Sequence, residues 1–121
     1  MLFNDVQLEL LGRVLDGAAL RHRVVASNIA NVDTPGYRCR EVRFEQELAA
    51  ALASAGPSAA LKVRPRVVLS SGAPGRLDGN NVDLEREYAA LTSNSAKFNI
   101  VAQLVSMRLA AYRAAIGSDR D

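Results

Sequence analysis

Asn28-Ile29-Ala30-Asn31-Val32-Asp33-Thr34-Pro35-Gly36-Tyr37 is the stretch on which the reading of this chain turns. A long apolar-periodic segment stops here, and the signals for ending a helix and turning are gathered in ten residues. Thr34 precedes Pro35 and is pushed away from the helical region by the proline ring. Pro35-Gly36 suits the central pair of a type II turn: proline fixes φ at the first position and glycine accepts positive φ at the second. Asn31 and Asp33 can bond nearby backbone groups, and Tyr37 offers a ring to cover the turn and a hydroxyl to anchor it. Local chemistry alone makes this a rigid corner after a helix.

Upstream of the corner, Leu8, Leu11, Leu15, Ala18, His22, Val25 and Ile29 recur at steps of 3 and 4, a heptad seam. Leu10, Val14 and Val24 widen the stripe, while Gly12 and Gly17 each lower helix propensity by up to about 1 kcal/mol relative to alanine. This helix needs partners to persist. His22 at a seam position reads as a tolerated polar core residue.

The C-terminal third repeats the design. Leu84, Tyr88, Leu91, Ser95, Phe98, Ala102, Val105, Leu109, Tyr112 and Ile116 step alternately by 4 and 3. Ile100, Val101, Leu104 and Met107 add apolar surface outside that seam, which a two-helix hairpin would leave in water; further neighbours are therefore expected. Asn81 or Asp83 can cap the start, with Glu85 and Glu87 near the positive end of the helix dipole. Gly117 offers a stop before the polar tail Ser118-Asp119-Arg120-Asp121. At about 1.5 Å per residue the two helices would be roughly 35 and 50 Å long.

Between them, Phe44, Leu48 and Leu52 predict a short helix from about Arg43 to Ala55, ended by Gly56-Pro57-Ser58. Leu61 to Leu69 contains β-branched residues, but Pro65 argues against a central strand. Ser70-Ser71-Gly72-Ala73-Pro74-Gly75 reads as loop, and 53–77 is expected to be mobile or ordered only by its neighbours. The expected fold is all-α: long terminal helices paired as an antiparallel coiled-coil hairpin, with a short helix and an irregular loop region between them. It is one domain in three segments: 1–37, the first helix and corner; 38–82, the middle; 83–121, the second helix.

Composition narrows function mainly by exclusion. Apolar residues make up 49% of the 121, yet aromatics reach only 5% and tryptophan is absent, which favours helix against helix over a deep core. A net charge of +2 is too small to imply nucleic acid. No apolar run approaches a membrane span, and no basic start followed by an apolar run and a small-residue cleavage site indicates a signal peptide. Arg38, Arg40, Arg43, Arg64, Arg66 and Arg76 read first as a solvated face, then as bidentate partners for carboxylates. Cys39 is the only cysteine, so no internal disulfide forms; it reads as a buried small hydrophobe. With one histidine, no metal-ligand cluster and no phosphate-cradling loop, the chain offers no catalytic constellation, and neither an enzyme nor a cofactor is expected.

Ser27-Asn28-Ile29-Ala30-Asn31 followed by Thr34-Pro35-Gly36-Tyr37 resembles the flagellar axial proteins of the rod and hook class. A second motif, Leu77-Asp78-Gly79-Asn80-Asn81-Val82-Asp83-Leu84-Glu85-Arg86-Glu87, resembles the corresponding segment of that family's proximal-rod member. The resemblance implies a structural subunit of the bacterial flagellar basal-body rod, its terminal helices paired as a coiled coil and stacked into an axial tube that transmits torque. It implies as partners copies of this chain, other rod proteins, the basal-body adaptor FliE, the membrane ring and the flagellar type III export apparatus. It also implies a periplasmic destination reached without a cleaved signal. On this reading Leu8, Leu11, Leu15, Val25, Ile29, Leu91, Phe98, Val105, Leu109 and Tyr112 form the subunit contacts. Asn28, Asn31, Thr34, Pro35, Gly36 and Tyr37 form the corner, and Gly79, Asn80, Asn81, Val82 and Asp83 the second motif. Asn28 and Asn31 share a helix face; they could bond backbone at the corner, reach a neighbouring subunit, or simply cap the helix. The alternatives are a soluble helical-hairpin adaptor or chaperone, or another rod or hook member.

Overall fold

Asp5 starts the first helix: its backbone is extended and its carboxylate accepts the Leu8 N–H at 3.1 Å. The computed structural model describes residues 5–71 and 74–118. Helix α1 runs Val6–Ala30 and ends at Asn31, whose N–H folds back onto the Ser27 and Asn28 carbonyls. The corner then closes as expected, with the Tyr37 N–H on the Thr34 carbonyl at 3.2 Å and Gly36 at φ +76°.

Strand β1 (Arg40–Arg43), helix α2 (Glu45–Ala55), a single helical turn α3 (Pro57–Ala60) and strand β2 (Arg66–Leu69) make up the middle region. Helix α4 spans Leu84–Ser118. The strands form an antiparallel ribbon with Arg40 opposite Leu69 and Arg43 opposite Arg66. Two arginines facing each other would repel, but Arg43 pairs with Glu41 and Arg66 with Glu47. The all-α expectation therefore holds in the main, with a small ribbon added. Pro65 is compatible with it because β2 begins one residue later and, in a two-stranded ribbon, is an edge.

The long helices run antiparallel. Asp5 meets Arg108 and Tyr112, Ala18 meets Asn94, and Asn28 meets Glu87, so one number falls as the other rises. The phase of the α4 seam differs from the expectation. Leu91, Val105 and Tyr112 are half-buried as foreseen, but Tyr88 is 53% exposed and Phe98, Leu109 and Ile116 also face outward. Glu87, Asn94, Val101 and Arg108 lie on the face toward α1 instead. Apolarity alone could not set the phase, because α4 is apolar on several sides and its contact face includes polar residues with partners across the interface. On α1, His22 is exposed; half-buried Arg21 takes the inward place expected for it and grips Glu45. Gly117 does not stop α4, which continues through Ser118; the rest of the polar tail lies outside the described residues.

Gly17 has a packing role that its low helix propensity hides. Phe44, 1% exposed, lies against it so closely that a methyl group there would sit 2.7 Å from the ring. The aromatic ring thus anchors the middle region onto the hairpin.

Candidate functional site: the interlock of two motifs

Asn28 sits in the last turn of α1, with none of its surface exposed. Its amide nitrogen donates to the Arg40 carbonyl at 2.8 Å and to Glu87 Oε2 at 3.0 Å. Its amide oxygen accepts the Tyr37 hydroxyl at 2.8 Å and the Arg40 N–H at 3.1 Å. Both donors and both acceptor sites are used, which is what burial of a polar side chain requires. Of the open readings for Asn28, bonding across the corner within its own chain is the one observed. Asn31 locks the turn itself, donating to the Ser27 carbonyl and accepting the Thr34 hydroxyl.

The second motif answers the first. Asn80, also fully buried, donates through its amide nitrogen to the carbonyls of Asn31, Val32 and Thr34 at 2.8–3.0 Å. Its amide oxygen accepts the Val82 N–H, closing a local turn. Asn81 accepts the Cys39 N–H at 2.6 Å, and the Gly36 N–H donates to the Asp78 carbonyl at 2.8 Å. Asp83 caps α4 by accepting from the Glu85 and Arg86 N–H groups, settling the choice between it and Asn81. Arg38 donates to the Gly79 carbonyl, and Arg76 bridges the carbonyls of Val82 and Val32. These arginines act as staples between the motifs, a role that sequence reading missed; their place next to the two motifs was the available signal.

Beneath this interlock lies Glu87, 6% exposed, which accepts from Asn28 on one oxygen and from the Cys39 thiol at 3.1 Å on the other. Burial, and then the Glu87 hydrogen bond, push the thiol up to about 12. Cys39 is therefore a buried donor and not a nucleophile at neutral pH. A second ionic knot holds the middle region down. Glu45 takes both Arg21 nitrogens at 2.5 Å and Lys97 at 3.3 Å. Burial alone would raise its carboxyl, but the Arg21 hydrogen bonds outweigh that and hold it at about 2. At the far end, hydrogen bonds from Arg108 and Tyr112 hold the Asp5 carboxyl well below the usual range.

Of the residues expected for the corner and the second motif, Asn28, Asn31, Thr34, Gly36, Tyr37, Gly79, Asn80, Asn81 and Val82 take part in the interlock, whereas Pro35 sits within the turn and Asp83 caps α4. The residues expected at subunit contacts divide differently. Leu8, Leu11, Leu15, Ile29, Leu91, Val105 and Tyr112 are half-buried and Val25 is buried, while Phe98 and Leu109 are exposed. No helix among the described residues is long and apolar enough to cross a membrane.

A long helical hairpin sealed by a hydrogen-bonded turn, with apolar residues left outside, describes a structural subunit made to be packed by neighbours. Residues 18–38 match the family model for flagella basal body rod protein. The chain is 32% identical to the flagellar basal body rod protein FlgB of Borrelia hermsii, covering 79% of this chain and 84% of that one. It is 34% identical to FlgB of Salmonella typhimurium (79% and 82% covered) and 33% identical to FlgB of Escherichia coli (79% and 82%). The chain belongs to the FlgB family of flagellar basal body rod proteins. Its role is structural, not catalytic.

Proposed function

We propose that this chain is a rod subunit at the proximal end of the flagellar axle, joining the membrane ring to the rest of the drive shaft and transmitting torque through packed helices. The observation that carries the reading is the interlock. It fixes the two long helices in one register and leaves apolar surface on α4 for neighbours. In this role FliE and the membrane ring lie on one side, other rod proteins lie on the other, and the type III apparatus exports the chain without a cleaved signal. The segments 1–37 and 83–121 supply the axial helices, and 38–82 packs on the outer side. Phe98 and Leu109 are the subunit contacts left bare, with Leu8, Leu11, Leu15, Val25, Ile29, Leu91, Val105 and Tyr112 supporting the hairpin that presents them.

The test is imaging of basal bodies from cells lacking the gene, complemented with an epitope-tagged copy. Loss of the rod, and recovery of the tag in purified basal bodies on complementation, is the expected outcome. Intact rods without the protein would overturn the assignment.

A further inference from the structure

The two strands of the ribbon differ in what lies beyond them. The Ser70 N–H donates to the Cys39 carbonyl at 2.9 Å, and Arg40 stands opposite Leu69. Bonded pairs alternate along an antiparallel ladder, so Glu41–Val68 and Arg43–Arg66 exchange hydrogen bonds, whereas Arg40–Leu69 and Val42–Val67 do not. The backbone groups of Arg40 and Val42 therefore point away from β2, and α1 takes them up. Asn28 bonds both the N–H and the carbonyl of Arg40, and Arg21 donates to the Val42 carbonyl at 3.2 Å. On the other side, Val67 and Leu69 turn their N–H groups and carbonyls away from β1, and nothing among the described residues bonds them.

Side chains make that edge receptive. Val67 and Leu69 are 44% and 62% exposed and share one face of the ribbon, since side chains alternate along a strand. An open edge with bare apolar side chains is a template for a further strand.

Charge narrows what that strand carries. From Leu48 to Leu77 the chain holds Lys62, Arg64, Arg66 and Arg76 and no carboxylate. Arg66 is matched by Glu47 and Arg76 is spent on carbonyls, but exposed Lys62 and Arg64 have no carboxylate partner among the described residues. Two β2 edges brought together would set these cations against one another, and like charges on paired strands repel. A second copy is thus a poor occupant of this edge, and an acidic strand a good one.

We propose that the outer edge of β2 receives an extended, acidic segment of a different protein, which adds a third strand to the ribbon. Its backbone pairs with Val67 and Leu69, its apolar residues lie beside their side chains, and its carboxylates reach Lys62 and Arg64. The proposal rests on the ribbon and goes beyond the rod reading, which stands if the edge proves unused.

The test is a capped peptide of alternating glutamate and valine, titrated into the isotope-labelled full chain and followed by NMR. Saturable shifts and slowed hydrogen exchange centred on the Val67 and Leu69 amides are expected. The same peptide with lysine for glutamate is expected to leave them unmoved. Val67→Pro removes an N–H that the ribbon does not use, so it should keep the melting temperature and abolish binding. Val67→Thr, which retains that N–H and the β-branched shape, should still bind. No saturable shift, shifts centred elsewhere, or equal binding by the lysine peptide or by Val67→Pro would overturn the proposal. Dimerisation of the chain through β2 without peptide would also overturn it, assigning the edge to a second copy. Should Val67→Pro disturb the fold, the double variant Lys62→Glu with Arg64→Glu decides. Its affinity for the glutamate peptide is expected to fall about tenfold, and an unchanged affinity would overturn the contact.

Discussion

Asn28 joins four backbone and side-chain groups through one amide, so its chemistry is hard to replace. Asn28→Asp keeps the shape but turns the donor into an oxygen facing Glu87 and the Arg40 carbonyl. An uncompensated buried charge of this kind costs about 3 kcal/mol or more. The expected outcome is a large drop in the urea midpoint; an unchanged midpoint would contradict the hub role. Gly17→Ala raises helix propensity by about 1 kcal/mol yet drives a methyl group into Phe44. Overpacking costs about 1–3 kcal/mol, so net destabilisation is expected in thermal melts, and relief by the further change Phe44→Leu identifies the clash. In sequence Gly17 showed only as a weak helix residue, because what occupies its missing side-chain volume comes from 27 positions away.

Among the elements, α2 depends on the Arg21–Glu45–Lys97 knot for its seat on the hairpin. Glu45 ionises at about 2 when folded against 4.5 as an ordinary carboxylate, so a depressed value favours the folded state. That contribution is fully present above about pH 4.5 and is lost as pH falls through about 2. The melting-temperature gap between wild type and Glu45→Gln should therefore shrink on acidification from pH 6 towards 2. A constant gap would show that the ion pair adds nothing. The corner, the short helix and both long helices were legible because turn preferences and 3.6-residue periodicity act over a few neighbours. The β1–β2 ribbon was not, since four-residue strands beside a proline carry too little pattern. The α4 phase escaped for a related reason: Asn94 faces inward to donate to the Ala18 carbonyl, and no apolar rule marks it. Its buried amide oxygen has no hydrogen-bond partner among the described residues, a cost that the apolar contacts around it must offset.

For the whole molecule, the split between inward and outward apolar residues separates folding from assembly. Val105 is half-buried toward α1, whereas Leu109 is 41% exposed. Val105→Asp should lower the helicity and stability of the isolated chain. Leu109→Asp should leave its circular dichroism and melting unchanged while removing the chain from basal bodies. Equal loss of stability in both would erase the distinction. The resemblance of the two motifs to rod proteins was legible as wording, but their mutual fit was not. Asn80 reaches carbonyls 46 to 49 residues earlier, and such a separation leaves no periodic trace.

By joining Asn31–Cys39 to Arg76–Val82, the interlock turns everything between into a closed loop whose ends are already pinned together. Lengthening such a loop is entropically mild: doubling its length costs about 0.6 kcal/mol. A flexible insert between Ser71 and Pro74 as long as the loop itself should therefore shift the denaturant midpoint only slightly and leave the hairpin register untouched. The fold behaves like a spindle with an extensible sleeve: the sleeve can be enlarged while the register of the spindle is kept.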